Sequence, residues 1–229
     1  MFDGIFFINS ALNVKQLSIF NNEDRFNQTM ETLHSIDKHC PNNAKFIFDG
    51  SAYPVEDDYL SQIASLDNTW FIDMGNHDGV KLLSMNGLRS QAECYSFMGF
   101  LDWFRLQSFK SKRIYKLSGR YTLTDNFVLD DPSYKDAFVF ADALDSWMPQ
   151  EVQKKTLANK LYRLRLWHMD YNLLDTFDEV LPQIFKDCTD YGIDVEHSYY
   201  KNLHKYKVVE VEKIGVKGII APSGEIIDE

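Results

Sequence analysis

Three short stretches of this sequence combine residue types that do chemistry at spacings that let them act together. Lys116-Leu117-Ser118-Gly119-Arg120-Tyr121 sets two cations, a hydroxyl and a glycine within six residues. Arg120 and Lys116 suit a diphosphate, a guanidinium being able to hold two oxygens at once, and Gly119 would let a ligand approach the backbone. Glu196-His197 follows Asp194. A carboxylate at Glu196 could act as general base toward a hydroxyl, although Asp194 also suits a helix N-cap and Glu196 a first helical turn. Gly75-Asn76-His77-Asp78 carries the letters of a two-metal loop that hydrolyses phosphoesters. Such a centre needs more carboxylate and imidazole ligands from other strand ends. Here the first strand ends in Asn9-Ser10, the second in Asp49-Gly50, and no His-x-His occurs. The plainer reading of that loop is a turn.

These residues need elements that position them. Residues 4–8, 45–48, 69–72 and 113–117 are short apolar runs of the kind buried parallel strands require. Between them, residues 22–40, 55–66 and 88–107 repeat apolar side chains at helical spacing, and Pro41 stops the first of these. The alternation predicts an α/β fold, a mixed but mainly parallel sheet flanked by helices. Ser10, Asp49 and Gly119 should then face one cleft at the carboxyl edge of the sheet, where this architecture receives ligands. The second half is less regular. Residues 136–141 read as a strand, and 162–168 alternate Tyr162, Leu164 and Leu166 against Arg163 and Arg165, as a half-buried antiparallel strand would. Helices are expected at 171–188, despite Pro182, and at 196–203, with closing strands at 208–211 and 218–220.

Of 229 residues, 45% are hydrophobic and 25% charged, the balance of a globular protein with a substantial core. Lys and Arg number 24 against 34 Asp and Glu, a net charge of −10, so no general attraction to nucleic acid or to an anionic membrane is expected. Cys40, Cys94 and Cys188 are odd in number and far apart, which reads as three reduced thiols of a cytoplasmic protein. No apolar run approaches the roughly 18–20 residues that span a bilayer. The stretch from Met1 to Ser10 reads as a first strand rather than a signal peptide.

Four stretches, taken in order, carry a resemblance: Ser10-Ala11-Leu12-Asn13, then Arg25-Phe26-Asn27-Gln28-Thr29, then Lys116 to Tyr121, and finally Gly215-Val216, Gly218, Ile220-Ala221-Pro222 and Gly224-Glu225. With this order and spacing the chain resembles the small glycosyltransferase-like proteins of viral and bacterial genomes, which have the nucleotide-diphospho-sugar transferase (GT-A) fold. The resemblance implies one GT-A-like domain over residues 1–229, with a nucleotide-binding half to about residue 121 and an acceptor-side half from about 122. It implies transfer of a hexosyl or pentosyl group from a nucleotide-sugar donor to a hydroxyl of a glycan-type acceptor. Asn9, Ser10, Ala11 and Asn13 would lie under the nucleoside, Asp49 beside the base, and Arg89 near the diphosphate with Lys116, Ser118, Gly119 and Arg120. Glu196 would be the base, and His197 would touch the diphosphate or a metal. The family's usual Asp-x-Asp is replaced by Ser118-Gly119-Arg120. Either Arg120 and Lys116 neutralise the diphosphate directly, or Mn²⁺ or Mg²⁺ is held by other residues. A non-catalytic nucleotide- or glycan-binding protein of the same fold, and a metallophosphoesterase built on the Asn76-His77 loop, are the alternative readings.

Overall fold

The computed structural model describes residues 2–13, 19–220 and 224–229. Met1, and Ala221 and Pro222 of the C-terminal motif, lie outside them. In chain order the elements are β1 (Gly4–Ser10), α1 (Asn22–His39), β2 (Ala44–Asp49), α2 (Asp57–Ala64), β3 (Thr69–Asp73), α3 (Asp78–Met85), α4 (Arg89–Arg105), β4 (Arg113–Ser118) and β5 (Tyr121–Leu123). They continue with β6 (Phe138–Ala141), β7 (Leu144–Asp145), α5 (Gln150–Thr156), β8 (Lys160–Leu161), β9 (Leu166–Asp170), α6 (Leu174–Tyr191), α7 (Val195–Leu203), β10 (Val208–Val211), β11 (Val216–Ile219) and β12 (Ile226–Asp228).

The main sheet has seven strands in the order β10-β6-β9-β4-β1-β2-β3. β9 runs antiparallel to both of its neighbours, and the remaining pairs are parallel. From β1 the chain steps outward to β2 and β3, then returns to lay β4 on the other side of β1. The winding therefore reverses between β1 and β4, the switch point at which open α/β sheets form a ligand crevice outside the carboxyl ends of their strands. β1 and β2 are central strands covered on both faces, which is why they read as unbroken apolar runs rather than as alternation.

Helices cover both faces. On one side α4, α6 and α7 bury an aromatic core, in which the Phe7 and Phe100 rings meet edge-on at 4.8 Å and Phe48 stacks on Phe100 at 4.8 Å. Each such pair contributes about 0.5–1.5 kcal/mol beyond its area burial. On the other side α1 presents Phe26, Leu33 and Ile36. A capping box starts this helix: the Asn21 side chain accepts from the Asp24 N–H (2.8 Å), and the Asp24 carboxylate accepts from the Asn21 N–H (3.1 Å). A small sheet of β12, β11 and β5 closes this second core.

The 162–168 expectation is corrected. The strand begins only at Leu166 and is antiparallel to β4, with Trp167 and His168 both buried. Tyr162 and Leu164 are buried as the alternation implies, but they precede the strand. Packing on both faces of β9 removes the half-buried pattern that alternation would signal.

Candidate active site

The site grows from the ends of β1 and β4. Strand register sets Asn9 opposite Ser118 and Ser10 opposite Asp49. The Gly119 N–H donates to the Asn9 carbonyl (2.9 Å), and the Thr29 hydroxyl of α1 donates to the Gly119 carbonyl (2.9 Å). The turn after β4 is thus clasped between β1 and α1. A Cβ at position 119 would stand 3.2 Å from the Ser10 Cβ and 3.3 Å from the Thr29 Oγ1. The space at position 119 is therefore tight, and a methyl group there would need Ser10 and Thr29 to give by a few tenths of an ångström, a constraint beyond the ligand approach read from the sequence. Gly119→Ala should destabilise the fold by roughly 1–3 kcal/mol, as overpacking does. An unchanged urea midpoint for that variant would contradict the clasp.

Several of the expected ligand-facing side chains turn inward instead. Asp49 is 0% exposed, and its carboxylate accepts from the Ser10 hydroxyl (2.5 Å) and from the backbone N–H groups of Leu12 (2.9 Å) and Ser51 (3.0 Å). It organises the loop after β1 and has no oxygen turned toward a base. Asn13 also builds that loop: its N–H donates to Ser51 Oγ (2.8 Å), and its side-chain amide donates to the Pro54 carbonyl (2.6 Å). Lys116 is 1% exposed, and its ammonium donates to the Leu164 carbonyl (2.7 Å) and Ser118 Oγ (3.1 Å) and pairs with Glu93 (3.1 Å). A buried ammonium needs a counter-charge and hydrogen-bond acceptors, and Glu93 with these acceptors supplies them. The expectation that Lys116 neutralises a diphosphate is corrected.

His197 is corrected as well. It is fully buried, its Nδ1 is 2.6 Å from Asp194 and its Nε2 is 2.9 Å from Ser146 Oγ. The carboxylate places the proton on Nδ1, so Nε2 accepts from the serine. Neither nitrogen is open to a metal or a phosphate. Asp194 also accepts from the His197 N–H (2.9 Å) as the N-cap of α7.

The charged groups around the crevice are held by a chain of contacts. Arg120 lies over the Tyr121 ring at 5.6 Å, and Arg165 lies over the same ring at 5.8 Å, both within cation–π range. The guanidiniums of Arg163 and Arg165 both pair with the Glu229 carboxylate. Glu196 sits near Arg165, Asp194 and Glu93. Burial foremost, then the charge of Asp194, raises its carboxyl above the ordinary value, while Arg165 and a backbone hydrogen bond from Leu164 oppose the shift. Glu93 accepts from the side-chain amide of Asn9 (3.1 Å), which ties α4 to the end of β1. Arg25 lies on α1 one turn before Thr29, near Arg120 and Arg89. Burial and then those two cations lower its guanidinium to about 10.

In the sequence reading Arg25 belongs to a resemblance stretch and Arg165 to an alternating strand, neither with a role at the site, and Glu93 has no place in it. Arg25 shares a helical face with Thr29 at four-residue spacing, and Glu93 follows Arg89 at the same spacing. Those spacings were the available signal. Ala11 is half-buried in the loop after β1.

The Gly75-Asn76-His77-Asp78 loop is a helix entry. The Asn76 side-chain amide donates to Asp73 (2.6 Å), and His77 Nδ1 accepts from the Gly79 N–H (3.3 Å) at the start of α3.

A mainly parallel sheet with one antiparallel strand, helices on both faces and a reversal of winding between β1 and β4 gives the chain a GT-A-like fold. Among solved structures, the chain is similar to the bifunctional glycosyltransferase WbbM, with a TM-score of 0.55 and 10% identity over 92% of this chain and 38% of that one. This protein therefore spans well under half the length of WbbM. It is also similar to the galactosyltransferase LgtC, solved in complex with donor and acceptor sugar analogues, with a TM-score of 0.52 and 11% identity over 90% of this chain and 73% of that one. At such identities the likeness is one of fold. No family profile and no curated protein matches the sequence. None of the described helices is long and apolar enough to cross a membrane.

Proposed function

We propose that this protein transfers a sugar from a nucleotide-sugar donor to a hydroxyl of a glycan-type acceptor. The observation that carries this reading is Arg120 over the Tyr121 ring just past the end of β4, with Arg165 over the same ring and its charge felt by the buried Glu196 carboxyl. It sets a cation at the strand ends where the fold receives phosphates, and a partly desolvated carboxylate on the acceptor side of Arg165. In this reading residues up to about 121 bind the donor, and Glu196 serves the acceptor from the second half. The acceptor oxygen bonds to the anomeric carbon and gives its proton to Glu196. The bond from that carbon to the diphosphate breaks, and the nucleoside diphosphate leaves with its growing negative charge turned toward Arg120. Stabilising that charge with donors already in place lowers the barrier, because little reorganisation is needed.

Asn9, Ser10, Ala11, Ser118 and Gly119 line the nucleotide side in this reading. Asp49 and Asn13 support it by shaping the loop, and Lys116 and Glu93 by joining β4 to α4. Arg120→Ala should weaken nucleoside-diphosphate binding by roughly 1.5–3 kcal/mol, about ten- to a hundredfold, the worth of a charge-assisted contact. Arg120→Lys should recover only part of the loss. Calorimetry on the folded variants decides this, and unchanged affinity for Arg120→Ala removes Arg120 from the site. Nucleotide binding without turnover of any nucleotide-sugar would favour the non-catalytic reading.

A further inference from the structure

A divalent ion on the donor diphosphate would need oxygen ligands turned toward the crevice. Among the described residues, those at the ends of β1, β2 and β4 and on the helices beside them do not fit one. The turn after β4 offers Ser118, Gly119 and Arg120, with no carboxylate. Asp49 is taken up by Ser10, Leu12 and Ser51. Glu93 is paired with Lys116 and Asn9, and both nitrogens of His197 are engaged. Among the described residues, no group of three or more His, Cys, Asp or Glu could hold a metal ion together.

Cations converge on the same place from three elements. Thr29 fastens α1 to the Gly119 carbonyl, so Arg25, one turn earlier on that face, approaches the turn that Arg120 follows. Arg89 opens α4, one turn before Glu93, which is tied to Asn9 at the end of β1.

We propose that Arg25, Arg89 and Arg120 together bind the donor diphosphate and take the place of a divalent metal in that role. The inference rests on the glycosyl-transfer reading of the site and adds Arg25 to it. Burial is the first cause of the lowered Arg25 value, about 10, and repulsion by Arg120 and Arg89 adds to it against the attraction of Asp49 and Tyr121; Arg25 still carries its charge at neutral pH. An anion between them relieves that repulsion. Guanidiniums suit the task because each presents a planar fork to phosphate oxygens and keeps its charge.

The test is calorimetry of the full chain with UDP, GDP and inorganic pyrophosphate, once with EDTA and once with Mn²⁺. The expected result is binding of at least one nucleoside diphosphate with affinities that agree within about threefold in the two buffers, a difference well under 1 kcal/mol. Arg25→Gln should weaken that binding by roughly ten- to a hundredfold, and Arg25→Lys by less. Arg25 is also attracted by Asp49, so affinities are compared only for variants whose thermal melt shows them folded at the assay temperature. Affinity that rises tenfold or more on adding Mn²⁺ overturns the inference while leaving the glycosyl-transfer reading standing. So does unchanged affinity in folded Arg25→Gln. No binding of any nucleoside diphosphate in either buffer overturns both.

Discussion

Glu196→Gln should lower kcat for sugar transfer by roughly 10²–10⁴-fold, the usual worth of a positioned general base, while nucleoside-diphosphate affinity stays within about twofold. The amide keeps the shape of the side chain and loses the ability to take a proton. The pH profile gives a second readout. Burial and Asp194 raise the Glu196 carboxyl, so the active carboxylate form is lost as pH falls through a value above the ordinary glutamate range. The acid limb of the rate profile should lie correspondingly high and should vanish from the residual activity of Glu196→Gln. Stability runs the other way. A carboxyl whose folded pKa is raised favours the folded state below its unfolded value, and that contribution is lost as pH rises through the folded value. At neutral pH the desolvated charge therefore opposes folding, and Glu196→Gln should melt no lower than the parent. A variant that keeps full kcat, or that loses activity only because it unfolds, would remove Glu196 as the base.

Asp49→Ala should destabilise the protein by roughly 2–6 kcal/mol, because it strands the buried N–H groups of Leu12 and Ser51, each worth about 1–3 kcal/mol when left unsatisfied, and removes the partner of Ser10. For a chain of this length each kcal/mol lowers Tm by roughly 2–4 °C. Asp49→Asn should fall between the two, since its NH₂ meets a donor where an acceptor is needed. Were Asp49 a base-recognising residue at the surface of the cleft, both variants would keep the parent's melting temperature and lose only nucleotide affinity. Thermal melts and calorimetry on the same preparations separate the two outcomes.

Much of the architecture is legible along the chain, because local patterns carry it. Short apolar runs around residues 5, 46, 71 and 115, separated by helical periodicity and stopped by residues such as Pro41, admit little besides strands alternating with helices. Asp194 reads as an N-cap and is one, since capping depends on neighbours three residues away. The gathering of Ser10, Asp49 and Gly119 also follows from the alternation, because parallel strands put their carboxyl ends on one edge.

The direction in which each polar side chain turns at that edge is not local. Lys116 and Arg120 stand four residues apart and look interchangeable as phosphate ligands. Lys116 lies within a strand covered on both faces and is drawn to Glu93 on α4, whereas Arg120 lies past the strand end and rests against Tyr121. Asp49 is claimed by donors from a loop that the sheet brings to it. Arg25, Arg89 and Arg120 come from three distant stretches of sequence, and only the packing of α1 and α4 against the sheet brings them together. Local patterning accounts for the layered sheet and for the edge at which its parallel strand ends gather. The tertiary structure alone decided which charges face that crevice, because each buried polar group must find its partner before any is left for a ligand.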